Sequence, residues 1–275
     1  MNPHLADSIS ATEMLRILGR NNHIISQLAN REILARYKGS ILGGLWMFIV
    51  PLGMLAIYTF VFSKIFNARW NSGTEESTEQ FAIILFVGLL LHSFLAEIIN
   101  RLPALITGNV NFVKKVVFPL ESLSFIVLEV AVFGLVVNVI VLLMACLYFN
   151  TLHFTAVFLP VVLLPILILA LGISWMLASL GVFVRDISQA TPLLTTAMLF
   201  LSPVFFPISA LPDSYQQVIL LNPLTFIIEE SRAVLIWGEM PDWHGLIVYY
   251  IISFCVCWAG FAWFQKTKRG FADVL

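Results

Sequence analysis

The chain alternates long uncharged apolar runs with short polar islands. Ile41 to Ser63 carries no charge for 23 residues. At about 1.5 Å per residue that length crosses a hydrocarbon core of roughly 30 Å with some tilt. Pro51 within it predicts a kink, and Tyr37 and Trp46 stand where interfacial aromatic belts form. Lys64 to Gln80 is a polar loop. Phe81 to Ala96 is the second run and continues past Glu97 to Asn100; Glu97 falls about 24 Å into this span, near its far interface, where it can reach headgroups and a structural role is expected of it. After a polar island comes the third run, and Val130 to Val184 holds no ionised residue. Those 55 residues are too many for one crossing, and the break at Tyr148 to Thr151, with His153 just beyond, divides them into a hairpin of two spans. Ile187 to Leu211 is uncharged for 25 residues, and Gly245 to Phe264 for 20. Between these two, Tyr215 to Ile228 is apolar for only 14 residues. It is too short to span and reads as re-entrant or interfacial, broken at Asn222-Pro223.

This pattern predicts an all-α integral membrane protein of six transmembrane helices. Its divisions are an N-terminal segment over 1–40, one membrane domain over 41–265 and a short tail over 266–275. Residues 8–38 read as an amphipathic helix, with Ile25, Leu28, Ala29 and Ile33 on one side and Gln27, Asn30, Arg31 and Arg36 elsewhere. Such a helix lies in the headgroup plane. Orientation follows from the cations. With both termini in the cytoplasm, Arg16, Arg20, Arg31, Arg36, Lys38, Arg101, Lys114, Lys115, Arg185, Lys266, Lys268 and Arg269 are inside, and only Lys64, Arg69 and Arg232 outside. Twelve against three obeys the positive-inside rule. No cleavable leader is expected, because the first forty residues carry charges throughout.

Composition agrees. The chain is 60% apolar and 11% charged, with a mean hydropathy of +0.94. A soluble domain carries about 25% charged residues, so lipid must be the solvent for much of this one. A formal net charge of −1 gives no overall basic field for nucleic acid. Cys146, Cys255 and Cys257 read as small apolar residues, the last two being out of register for a shared helix face. There is no G-x-x-x-x-G-K-[ST], H-E-x-x-H or G-x-S-x-G, so no phosphate cradle, zinc motif or serine nucleophile of those kinds is encoded. No metal or other cofactor and no catalytic residue is expected in this chain.

Two features invite function. Glu129 lies about 13 Å beyond Leu120 at helical rise, near mid-membrane. A charge there costs about 2.5–3.5 kcal/mol on insertion scales, so it faces water or protein rather than lipid. It either lines a conduit or is a buried carboxyl bonded to a neighbouring helix. The second feature is the island Gly108 to Leu123, with Lys114-Lys115 and then Phe118-Pro119. A basic segment pinned between two spans is a place for a soluble partner to push, and without a phosphate loop here any ATP-driven push comes from another chain.

The runs RYKGSILGGLWMFIVPLGMLAIYTFVFSKIF (Arg36 to Phe66), FVKKVVFPLE (Phe112 to Glu121), VFVRDI (Val182 to Ile187), FLSPVFFP (Phe200 to Pro207) and LNPLTFIIEESR (Leu221 to Arg232) come in a familiar order. Together they resemble the membrane subunit of type-2 ABC transporters that export lipid-linked polysaccharide, such as O-antigen or teichoic acid, over residues 25–265. The resemblance implies two copies of this chain with two copies of a separate ATPase that holds ATP and Mg, moving an undecaprenyl-linked glycan across the bacterial inner membrane. It implies a cytosolic coupling helix between spans 2 and 3, carried by Asn109, Phe112, Lys114, Lys115, Phe118 and Pro119. Arg185 and Asp186 would form a second cytosolic turn, in coupling or simply as an Arg–Asp pair closing it. The N-terminal helix, with Arg31, Arg36 and Tyr37, would flank the substrate entrance. Re-entrant periplasmic helices between spans 5 and 6, with Asn222, Pro223, Glu229, Glu230 and Arg232, would close the outer mouth. Sugars stack on aromatic faces, so Trp46, Tyr58, Phe205 and Phe206 join Glu129 as candidates for channel lining. Other substrates of the same transporter type (teichoic acid, capsule or a drug), or an ion-coupled carrier, are the competing expectations.

Overall fold

The computed structural model describes residues 10–65, 70, 78–114 and 118–275. Every regular element among them is helical. Five helices are long and apolar enough to cross a membrane, over Gly43–Phe62, Gln80–Arg101, Ser122–Tyr148, Phe154–Phe183 and Trp243–Val274.

Helix α1 spans Ala11–Tyr37 and starts on Ser10, whose side chain accepts from the Thr12 amide. Its buried residues are Ile17, Asn21, Ile25, Ala29 and Ile33, one every fourth position. The expected apolar stripe is therefore present, but its cover differs. The stripe packs on α5 (Ser122–Tyr148), where Asn21 donates to the Ser122 hydroxyl at 3.5 Å. Protein rather than lipid takes this face.

Helix α2 (Trp46–Tyr58) carries Pro51 and continues into π-helical turns over Thr59–Ile65. It packs lightly, with Leu55 as its buried residue. Helix α3 (Thr78–Arg101) is the opposite case, with Ile83, Leu91, Leu95 and Ile98 all buried. A single helical turn and helix α4 (Val110–Lys114) lead to α5. The break after α5 lies where the sequence puts it. Asn150 takes φ 53°, a left-handed conformation that asparagine tolerates. The Thr151 amide then bonds back to the Cys146 carbonyl at 2.9 Å, closing the helix end.

Helix α6 (Leu159–Phe183) returns the chain and forms its most extensive pairing with α10 (Trp243–Thr267). The two backbones touch at glycines. A Cβ on Gly172 would sit 2.6 Å from the Cα of Cys257, and one on Gly260 would clash with the Gly172 carbonyl. Small residues that let backbones approach are how membrane helices gain dispersion energy.

The expected 25-residue span from Ile187 is shorter as a helix. Helix α7 covers Ile187–Phe200, 14 residues, and the chain turns from Leu201 onward. Pro203 and Pro207 remove the amides that would have continued the ladder, which counting uncharged residues does not register. Two short helices follow, α8 (Asp213–Leu220) and α9 (Pro223–Arg232), then π-helical turns to Trp237. The 266–275 stretch, the short tail of the sequence, lies against the bundle. It ends in α11 (Phe271–Val274), with Lys268 and Phe271 buried.

Candidate functional site

One face of α3 is polar, unlike the exposed sides of the other long apolar helices. The outward sides of α2, α5 and α10 are apolar, with Ile49, Leu52, Val136, Ile140, Ile247 and Ile251 all exposed. On α3 the exposed positions among the described residues are Ser93 and Asn100, flanked by half-buried His92, Ala96 and Glu97. Spacings of three and four place them on one side. Helix α7 borders this stripe. His92 Nε2 lies 2.9 Å from the Thr195 carbonyl, and Asn100 donates to the Thr195 hydroxyl at 3.3 Å.

Helix α2 borders the other side, across a cavity of about 370 Å³ between α2, α3 and α5. Trp46, Met54, Tyr58, Ser93, Phe133 and Asn138 are on its wall, and Arg36, Tyr37 and Glu97 are at one end. Of the expected lining residues, Trp46 and Tyr58 are here. Glu129 is on neither this cavity nor the one described next; it is half-buried on α5 with no hydrogen bond or ion pair among the described residues. Phe205 packs instead in an aromatic group, 6.3 Å from Phe62 and 6.0 Å from Phe200 by ring centroid, and Phe206 is half-exposed beside it.

The charged end of the cavity is a four-sided ion cluster. Glu32 and Arg36 on α1 face Glu97 and Arg101 on α3. Arg36 bonds Glu97 and lies 3.9 Å from Glu32, while Arg101 bonds Glu32 and lies 3.4 Å from Glu97. Signs alternate around the square, so each carboxylate meets two guanidiniums. Glu97 is thereby held in a protein contact, a structural role. Arg31, grouped with Arg36 in the sequence, points elsewhere. It borders a second cavity of about 240 Å³, with Glu32, Leu105, Asn109, Phe112 and Val127.

The island lies at this same end. Asn109 donates to the Leu105 carbonyl at 2.8 Å, closing the turn into α4. The rings of Phe112 and Phe118 meet at a tilt of 35° with centroids 4.6 Å apart, and Pro119 precedes the turn at Leu120–Glu121 that starts α5. The Lys114 backbone ends α4, and Lys115 lies outside the described residues. The turn between α6 and α7 is also here. Arg185 and Asp186 are exposed and do not pair with each other; backbone bonds such as Gln189 N–H to the Asp186 carbonyl at 2.9 Å close it. The α6 end touches the segment that leads from α3 to the island, since a Cβ on Gly181 would clash with Pro103.

At the opposite end α8 and α9 form a hairpin dipping into the bundle. Its tip is Asn222. The side-chain oxygen of Asn222 accepts from the Leu224 amide at 3.0 Å, and its nitrogen donates to the carbonyls of Met198 and Leu201 at 3.1 and 3.0 Å. One residue thus caps the start of α9 and the end of α7. The Pro223 carbonyl accepts from the Tyr249 hydroxyl at 2.7 Å; Tyr249 is six residues into α10, so the tip sits about 9 Å deep at helical rise.

Arg232 closes the hairpin. It is fully buried and donates to the carbonyls of Ile84 (3.1 Å), Pro203 (2.6 Å) and Val204 (3.2 Å) and to Glu229 (2.8 Å), with the Trp70 ring 4.3 Å away. Burial lowers its pKa, Glu229 partly restores it, and the result of about 10 keeps it charged at neutral pH. Burial pushes the Glu229 carboxyl up, and Arg232 beside it pulls it back. Glu230 holds the loop before α10 by accepting from the Asp242 amide at 2.9 Å.

The sequence reading passed over His92, Ser93, Asn100 and Thr195. The available signal was their three-and-four spacing inside a run judged only by its lack of charge.

Comparison with known proteins agrees with this architecture. The O-antigen export system permease protein RfbA of Myxococcus xanthus is 26% identical over 263 residues, covering 94% of this chain and 98% of its own. The protein of the same name from Klebsiella pneumoniae is 24% identical over 260 residues, covering 94% and 97%. The polysialic acid transport protein KpsM of Escherichia coli is 26% identical over 234 residues, covering 84% and 87%. The profile of the ABC-2 type transporter family matches residues 24–236. That match takes in the ion square, the polar stripe, the island and the hairpin, and on it the chain belongs to the ABC-2 type transporter family of multi-pass membrane proteins.

Proposed function

We propose that this chain is the permease of an ATP-driven exporter of lipid-linked polysaccharide of the O-antigen type. In this reading it sits in the bacterial inner membrane as two copies, driven by two copies of a separate ATPase that binds ATP and Mg. The observation that carries it is the polar stripe of α3 between α2 and α7. A hydroxyl-rich glycan needs hydrogen-bonding groups along its path, and lipid would not tolerate such a stripe without cost. Export of O-antigen and polysialic acid by the relatives supports the substrate class.

The island end is then cytosolic, as are both termini. Helix α7 and the turns after it serve as the sixth crossing, with Val204 meeting α3 at Gly88, near the middle of that helix. The α8–α9 hairpin closes the periplasmic mouth. Asn109, Phe112, Lys114, Lys115, Phe118 and Pro119 dock the ATPase, with Arg185 and Asp186 alongside. The 370 Å³ cavity with Arg36 at its end receives the undecaprenyl-phosphate portion of the substrate.

The test pairs Ser93→Leu with Asn100→Leu in cells carrying the cognate ATPase. Surface glycan should be lost while lipid-linked glycan accumulates inside and the ATPase still co-purifies. Normal surface glycan in the double variant would sink the conduit assignment. Failure of any ATPase to co-purify with the wild-type chain would sink the transporter reading itself.

A further inference from the structure

We infer that the C-terminal segment from Lys268 onward is a coupling brace, with Lys268 and Glu121 as its positioning residues. This rests on the reading above, in which the island receives the thrust of an ATPase. Lys268 follows the last turn of α10 and reads in the sequence as one more flanking cation. In the structure its ammonium lies 3.0 Å from Glu121 Oε2, and the two side chains are only 2% and 1% exposed. Glu121 is the residue through which the island enters α5.

A buried ion pair is weak evidence for stability, because both ions lose water, and its best-attested use is fixing register. This one is not optimised for stability: Glu121 Oε1 has no hydrogen-bond partner among the described residues. Its position is nonetheless over-determined. The Glu121 carbonyl accepts from the Trp175 indole at 3.2 Å, tying the same junction to α6. Phe271, fully buried, packs 5.9 Å from Phe183 at the end of α6 and 5.5 Å from Phe264 on α10. Helix α11 also lies against α4.

The segment therefore touches the island helix, the start of α5, the end of α6 and the end of α10. Displacement of the island cannot occur without either carrying α10 or breaking a desolvated ion pair. Because α6 and α10 meet backbone to backbone at Gly172 and Gly260, they move together. The brace thus links ATPase thrust to the helix pair that also holds the outer hairpin through Tyr249.

The experiment reconstitutes the complete permease–ATPase complex and measures ATP turnover and glycan export separately. Lys268→Met should leave the ATPase bound and turning over, while glycan exported per ATP falls about tenfold, the size of a typical coupling free energy. Exchanging the charges (Glu121→Lys with Lys268→Glu) should recover a substantial part of that ratio. An unchanged ratio in Lys268→Met overturns the brace. So does a loss of export that tracks loss of bound ATPase, since that marks a folding anchor only. Should Lys268→Met fail to accumulate, Phe271→Leu decides by the same ratio. A wild-type complex that exports nothing with ATP refutes the transporter reading, which is a distinct outcome.

Discussion

Arg232→Met removes the clamp at the outer hairpin while roughly keeping its volume. Three carbonyls, of Ile84, Pro203 and Val204, lose a charged donor where water is excluded. At about 1 kcal/mol for each buried acceptor left unmade, that is roughly 3 kcal/mol. The cation over Trp70 adds about 0.5–1 kcal/mol. Glu229 is 30% exposed and can turn to solvent, so its lost partner adds little. The total of about 4 kcal/mol corresponds to a Tm lower by about 10 °C for a chain of this size. Thermal unfolding of the purified protein in detergent reads this directly. Arg232→Lys should fall between, because a compact ammonium cannot span three acceptors that the guanidinium fork reaches on different sides. Arg232→Met combined with Glu229→Gln should be no worse than Arg232→Met alone. A shift below about 2 °C in Arg232→Met would show that the hairpin does not depend on these bonds.

Gly172→Ala places a Cβ 2.6 Å from Cys257 Cα, forcing α6 and α10 roughly 1 Å apart; overpacking of that kind costs about 1–3 kcal/mol, visible as a lower Tm. Asn222→Ala uncaps α7 and α9 together, so it should exceed the cost of about 1 kcal/mol of a single lost cap and raise protease cleavage between α8 and α9. A double-mutant cycle of Arg36→Ala with Glu97→Gln should return a coupling of about 0.5–1 kcal/mol, because both side chains are partly exposed. A zero coupling in thermal unfolding would mean that the square is not formed in solution.

Much of the architecture was legible because charge is expensive in lipid. Ends of spans fall where Arg101, Arg185 and Lys266 stand, and the hairpin break falls at Asn150, which alone in that stretch suits a left-handed turn. Uncharged length was a poorer guide where prolines intervene: the run from Ile187 was counted through Pro203, though the helix stops at Phe200. The stripe of α3 was hidden because His, Ser and Asn carry no formal charge, so a sum over the window stays apolar while one face does not. Aromatic residues gave a mixed result for a related reason. Trp46 and Tyr58 reach the cavity and Phe205 does not, because ring type says nothing about which neighbour a helix turns it toward. Of the α1 stripe Ile25, Leu28, Ala29 and Ile33, all but the half-buried Leu28 are buried, and the sequence could not tell lipid from α5 as its cover. Lys268 and Glu121 are 147 positions apart, and no local pattern joins them.

The light packing of α2 bears on how the protein is made. Its hydropathy suffices for insertion without help, and only Leu55 is buried by the rest of the chain. The bilayer, not the fold, keeps this helix in place. Biogenesis can then proceed in two steps, with α3, α5, α6 and α10 condensing around their shared core and α2 docking afterwards. The wall that α2 lends to the 370 Å³ cavity is accordingly a product of assembly. Whatever finally presses on its bare outer face sets how wide that cavity stands.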